Sequence, residues 1–244
     1  MKNTFILILL VSFFVSSCKK KEEVRETRGS EYFPLKVGTV LYYDVDSFFF
    51  DPFFNKTDTV STVLKEEVME KLVDLSNDTI YRIELSTYNK NTFRWIVFQS
   101  FYRKIKDNFA IEVKDNIPEV KLYFPISSYK TRGSTYSWNL NMFNQFEPKY
   151  IKYNRVFYNQ SINTVPYTNC VNIQLNRPIS GIKNDYREEI YAKDIGLIYK
   201  HIDSSDYTTK NSKDSFTRSG KEIFLKLKRW ISVFSSGVSW ESCC

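Results

Sequence analysis

From residue 36 to residue 232 the chain is a succession of short runs in which alternate residues are apolar, broken at close intervals by turn residues. A period of two is the pleat of a half-buried strand, and no stretch between the runs carries a convincing amphipathic helical repeat. Thr79 to Thr87 is the clearest case, with Ile80, Arg82 and Glu84 on one face and Tyr81, Ile83 and Leu85 on the other. Strand-like runs also cover 36–46, 57–70, 93–103, 108–115, 119–126, 135–140, 149–158, 164–175, 185–192, 195–202 and 217–232. The second half of 57–70 also fits a helix on charge spacing. In the last run Ile223, Leu225 and Leu227 share a face, while Glu222, Lys226 and Lys228, with Phe224 among them, take the other. Composition agrees: two alanines in 244 residues, against abundant Tyr, Phe, Ile, Val and Thr, favour strands. No repeat is visible, which argues against a propeller or solenoid. The expected fold is all-β: one antiparallel, strongly curved sheet or open, barrel-like domain.

The amino end is of a different kind. Lys2 is followed by the apolar run Phe5 to Val15, in which Ser12 is the only polar residue. This run is too short to cross about 30 Å of hydrocarbon as a helix, which takes roughly 20 residues. It has the size and flanks of a secretory signal. Val15-Ser16-Ser17-Cys18 resembles the bacterial lipobox, in which the peptide is cut before a cysteine whose thiol and new amino group are acylated. Residues 1–17 are thus expected to be a lipoprotein signal peptide. Residues 18–30 would be the lipidated Cys18 and a charged tether, 31–232 the β domain, and 233–244 a tail without assigned structure. Several acyl chains, at about 0.8 kcal/mol per buried CH₂, make the membrane the expected partner. The tether, KKKEEVRETRGS, reads as solvated and could reach roughly 40 Å. Its Lys-Glu-Glu run resembles the surface-export signals of Bacteroidetes lipoproteins. The expected location is the outer membrane, with the cell surface favoured.

Composition removes several functions. The net charge is +7, but beyond the tether it falls to 29 basic against 25 acidic residues, too weak for a nucleic-acid partner. The single histidine, His201, reads as an exposed strand-end residue with no nucleophile motif beside it. One histidine and four cysteines without a C-x-x-C spacing give no metal site. The seven glycines, at 29, 38, 133, 181, 196, 220 and 237, are too scattered for a phosphate cradle, so no cofactor is expected. Cys170 reads as a small buried apolar residue. A bridge from it to Cys243 or Cys244 is left open, because sequence supplies no distance.

Three blocks resemble a group of Bacteroidetes lipoproteins of unassigned activity. Tyr32-Phe33-Pro34-Leu35-Lys36-Val37-Gly38, then Leu41-Tyr42-Tyr43, is similar to their opening YFPLKVGN-x-W-x-Y phrase, with Thr39 in place of asparagine and Leu41 in place of tryptophan. Lys121 to Ile126 with Gly133 and Trp138-Asn139 is similar to their K-L-x-F-P segment and its W-N pair. Asp185-Tyr186-Arg187 with Ile190 to Lys193 and Ile195 to Lys200 is similar to their Y-A-K-x-V-G-L-I-Y-K hairpin. The resemblance implies a secreted all-β lipoprotein and supplies no catalytic residues. Around that hairpin turn, Gly196 leaves a gap that an aromatic ring such as Trp138 would fill.

Phe48, Phe49, Phe50, Phe53 and Phe54 surround an Asp51-Pro52 break. Either they extend two strands, with half of them in the core, or they form a binding lip toward membrane, an apolar ligand or a partner. Glu66-Glu67 and Glu188-Glu189 are adjacent pairs, so on strands each pair splits to opposite faces and neither is a ready-made acid and base. The sequence reading is therefore an envelope lipoprotein with a structural or binding role and no catalytic residue. The alternatives are a carrier of lipid or a small apolar ligand in a half-barrel cavity, then a carboxylate-based glycan hydrolase.

Overall fold

The computed structural model describes residues 29–126, 137–141, 149–175, 183–210, 215–234 and 237–238. The leader, Cys18, most of the tether, Gly133, Cys243 and Cys244 lie outside the described residues. Twelve strands form one antiparallel sheet: β1 Val40–Asp51, β2 Lys56–Val73, β3 Thr79–Asn89, β4 Arg94–Lys106, β5 Phe109–Lys114, β6 Ile117–Tyr123, β7 Ser137–Asn139, β8 Tyr150–Ile162, β9 Val165–Leu175, β10 Lys183–Ala192, β11 Gly196–Lys210 and β12 Ser215–Ile231. A two-stranded ladder follows, β13 Val233–Phe234 with β14 Gly237–Val238. The large sheet is ordered β6-β5-β4-β3-β2-β1-β12-β11-β10-β9-β8-β7. It is therefore two six-stranded meanders joined where β1 pairs with β12, with Val40 opposite Ile231. The sheet curls into a nearly closed barrel with one unsealed seam. Residues 65–70, which also fitted a helix, are strand β2: their backbone is laddered to β3, and as far as Glu67 to β1 as well.

The turns follow from side chains that tolerate positive φ. Asp115 and Asn116 (φ 51° and 61°) join β5 to β6, and Asn163 and Thr164 (48° and 69°) join β8 to β9. Two left-handed residues in sequence match the twist of a tight hairpin. Asp51 accepts bonds from the backbone N–H of Phe53 and Phe54 at 2.8 and 3.2 Å, and Asp74 from those of Ser76 and Asp78 at 2.9 Å each. Curvature comes from bulges in the pairings of β1, β2, β3, β5 and β10, and from three more along β8. Each bulge bends its strand and adds local twist, which is how a flat ladder rolls up.

The seam lies between β6 and β7, the two sheet edges. Among the described residues one backbone bond crosses it, from Val120 N–H to the carbonyl of Leu140 at 2.8 Å. Two side chains add to it. The Trp138 indole N–H donates to the carbonyl of Val120 at 2.9 Å, and the Tyr153 hydroxyl donates to the carbonyl of Tyr123 at 2.8 Å while accepting from its N–H at 3.2 Å. The edge strand β6 is also covered on both faces: Val120 and Leu122 pack with Leu140 and Ile151, and Lys121 is buried against β10. An edge so covered offers no template for pairing with another chain.

At the end of the barrel where β1 begins, Tyr32 and Phe33 are buried and join a core of Phe124, Ile126, Trp138 and Tyr191. The three blocks that carry the family resemblance thus meet in one core. Gly196 (φ 99°) does sit under a close neighbour, but a Cβ there would meet Pro34 Cδ at 3.3 Å; the expected ring, Trp138, is engaged at the seam instead. Tyr153→Phe removes both hydroxyl bonds at the seam and is expected to lower stability by about 1–3 kcal/mol, read from chemical denaturation, with the all-β circular dichroism spectrum unchanged.

Candidate functional site

The barrel interior is charged at its centre. Arg103 on β4 grips Glu66 on β2 with two bonds, at 2.5 and 2.8 Å, and reaches Glu112 on β5 through Nε at 2.7 Å. Glu112 also pairs with Lys114 at 3.1 Å. Across the barrel, Glu189 on β10 is fully buried, and its Oε1 receives Lys121 Nζ at 2.9 Å and Arg187 Nη2 and Nε at 2.9 and 3.1 Å. Its Oε2 accepts the Tyr191 hydroxyl at 2.5 Å. Arg187 also holds Glu119 on β6, at 3.0 and 3.3 Å. Lys121, 3.9 Å from Glu112 and 3.7 Å from Glu119, links the two halves.

Burial alone would raise the carboxyls of Glu112 and Glu189. The surrounding cations overcome it and hold both well below the ordinary carboxylate range. Glu119 is also lowered: burial raises it, and Lys121 and Arg187 outweigh that. Glycoside hydrolysis requires one carboxyl to stay protonated near neutrality, and these three are held as anions. Lys200 on β11 fares differently. Its ammonium lies 3.3 Å from Glu189 Oε1, an oxygen that three closer donor groups already occupy. Burial pushes it down to about 7, although a fifth of its side chain (21%) remains exposed; Lys121, Arg187 and Lys114 push the same way and Glu189 opposes them. The connected cluster contains five cations, Arg103, Lys114, Lys121, Arg187 and Lys200, against the carboxylates of Glu66, Glu112, Glu119 and Glu189.

Beside this cluster lies a cavity of about 210 Å³. Its walls include Leu41, Leu64, Ile202, Ile223 and Leu225, with Phe33, Pro34 and Leu35 also lining it, and Arg103, Lys114, Lys121 and Lys200 reach it from the charged side together with Glu66 and Glu112. The apolar wall on β12 is the Ile223–Leu225 face read from the sequence. Among the described residues, no group of three or more His, Cys, Asp or Glu side chains could hold a metal ion.

The phenylalanines divide. Phe48, Phe49 and Phe50 continue β1, so they are strand residues; Phe53 and Phe54 sit in the hairpin turn and are the most exposed of the five, at 88% and 81%. Phe48 meets Phe224 edge-on at 6.1 Å, and the Arg218 guanidinium lies 3.7 Å from the Phe50 ring centre. Phe93, Ile96, Val97 and Phe98 of the neighbouring β3–β4 hairpin are exposed as well, which the sequence reading missed. The first described residues lie at the other end of β1, where the N–H of Asp194 bonds the carbonyl of Glu31. The aromatic hairpin therefore points away from the side on which the tether joins.

His201 is not an exposed strand end. It stacks on Phe224 at 4.2 Å and contacts Glu222 through Nε2 at 2.9 Å in the middle of β11. Cys170 is fully buried, and burial pushes its thiol up to about 11, so it is a packing residue. Glu66 and Glu67 point to opposite faces, as do Glu188 and Glu189: Glu67 pairs with Lys65 and Glu188 bonds Asn172, while Glu66 and Glu189 turn inward. That the inward members join one network was not anticipated.

Glu189→Gln leaves Lys121, Arg187 and Lys200 facing one another without their shared anion. It is expected to cost about 3–5 kcal/mol in denaturant unfolding. Lys200 gives a pH signature. Its folded-state pKa near 7 lies below the roughly 10.4 of an unfolded lysine, so the unfolded chain binds more protons between those values and stability rises with pH. The rise is expected from pH 7 to about 8.5, above which Cys170, raised in the folded state, acts with the opposite sign. Lys200→Met should flatten it.

No protein-family model matches the chain, and no curated protein matches it. Two solved structures overlay on it. A "putative lipoprotein" from Parabacteroides distasonis is 12% identical with a TM-score of 0.41, over 82% of this chain and 97% of the other. A "putative exported protein with YmcC-like fold" from Bacteroides fragilis is 10% identical with a TM-score of 0.43, over 82% and 98%. Likeness at this level supports no reading of function.

Proposed function

We propose that this chain is an exported envelope lipoprotein, held at the outer membrane by acyl chains on Cys18, whose barrel is a binding module without a catalytic role. One observation carries the anchor: an eleven-residue apolar run from Phe5 to Val15 that ends, two small residues later, at a cysteine. The resemblance of three blocks to Bacteroidetes lipoproteins supports it. For the barrel, the support is an interior whose acids are neutralised in place beside an apolar-walled cavity. A second reading, carriage of a small apolar ligand, rests on that cavity. Its volume of about 210 Å³ lies below the roughly 300–1,000 Å³ of drug-sized pockets, so it suits a small molecule and not a whole phospholipid.

The anchor is tested by labelling cells with a palmitate analogue and sequencing the mature amino terminus by mass spectrometry. The expected peptide begins at Cys18 with thioether and amide acyl groups, and Cys18→Ser abolishes the label. A protein recovered with Met1 and an unmodified thiol at position 18 ends the proposal.

A further inference from the structure

With Lys200 protonated, the cluster at the centre of the barrel is not neutral. Its five cations outnumber its four carboxylates by one, and the geometry shows which cation is left over. Arg103 holds Glu66 with two bonds, Lys114 pairs with Glu112 at 3.1 Å, and Arg187 holds Glu119 with two bonds. Lys121 has the best-placed share of Glu189, at 2.9 Å. Lys200 comes fourth to the same oxygen, at 3.3 Å, and it lines the cavity together with Arg103, Lys114 and Lys121, on the side of Leu225 and Ile202. An ammonium without its own anion, beside an apolar space, is matched by a ligand that brings one negative charge and a short hydrocarbon tail. The space agrees in size: about 210 Å³ lies below the roughly 300–1,000 Å³ of drug-sized pockets and suits a short chain.

We propose that this cavity binds a small organic monoanion, a carboxylate with a short aliphatic chain, with its head at Lys200 and its tail between Leu64 and Leu225. The inference rests on the binding-module reading and adds the class of ligand. The bound carboxylate makes the charges in the cluster equal. It thereby favours the protonated form of Lys200, whose other charged neighbours are Glu189 and Arg187 on β10, Lys121 on β6, and Lys114 and the carboxylate of Glu112 on β5. Binding above neutrality is therefore coupled to proton uptake, and affinity falls as pH rises from 7 to 9.

The test compares hexanoate with hexan-1-ol, which share a chain and differ in charge, by isothermal titration calorimetry on the folded protein. At pH 7 hexanoate is expected to bind at least tenfold more tightly than the alcohol. At pH 8.5, buffers of different ionisation enthalpy should show uptake approaching one proton per hexanoate and none for the alcohol. Lys200→Met, which removes the surplus charge and so does not threaten folding, should erase the preference and the proton uptake while the alcohol still binds. Leu64→Phe, which fills the tail space, should weaken both. If acid and alcohol bind alike and Lys200→Met changes neither, the anion inference fails and the binding module stands. If neither ligand binds the wild-type protein, both fail.

Discussion

The Glu189 carboxylate holds the barrel together. It is fully buried on β10, and the cations around it tie that strand to two others: Lys121 to the edge strand β6, Arg187, on β10 itself, through Glu119 to β6 again, and Lys200 to β11. Among the described residues a single backbone bond joins β6 to the end of β7, so the approach of the two edges depends on this ionic crossing and on Trp138 and Tyr153. A buried ion pair is no guarantee of net stability, because desolvation offsets most of its Coulomb energy. What it supplies here is position. Lys121 finds its acceptor at one register of β6 against β10, and a one-residue slip would turn Val120 toward Glu189 instead.

The strands were legible because burial on one side writes a period of two, and the chain has few residues that would disguise it. Thr79 to Thr87 shows this directly: Ile83 and Leu85 are buried, as their alternation with Arg82 and Glu84 requires. The bulges were not legible, since an extra residue in a β-branched and aromatic run leaves the local composition unchanged. The charged interior was hidden for a related reason. Alternation assigns polar residues to the solvent face, and Glu112, Lys121, Glu189 and Lys200 break that rule. A partial signal did exist. Opposite charges two residues apart, as in Glu112 with Lys114, Glu119 with Lys121 and Arg187 with Glu189, share a strand face and can neutralise each other there. Lys56 with Asp58, Lys65 with Glu67 and Arg82 with Glu84 pair at the same spacing outside the buried network, so the spacing marks faces that can neutralise themselves and not which of them is buried.

The aromatic hairpin was half legible. The density of phenylalanine marked residues 48–54, and Asp51 with Pro52 marked the break, but the strand runs through Asp51 and the turn follows it. His201 was misread because its neighbours in sequence are polar. Its partners, Phe224 and Glu222, come from β12 and are brought beside it only by the pairing of β11 with that strand.

The join of the two meanders has a consequence for how the molecule comes into being. Every other ladder connects strands that follow one another along the chain, so hairpins can form as soon as their residues exist. The ladder of Val40 against Ile231 ties the first strand to the twelfth. Until the last of these is synthesised, β1 is an open flank carrying three phenylalanines, and there are two ribbons with four loose borders where there should be one wall. The carboxyl-terminal strand is the stave that turns ribbon into vessel, and a nascent chain must wait for it before it has an inside at all.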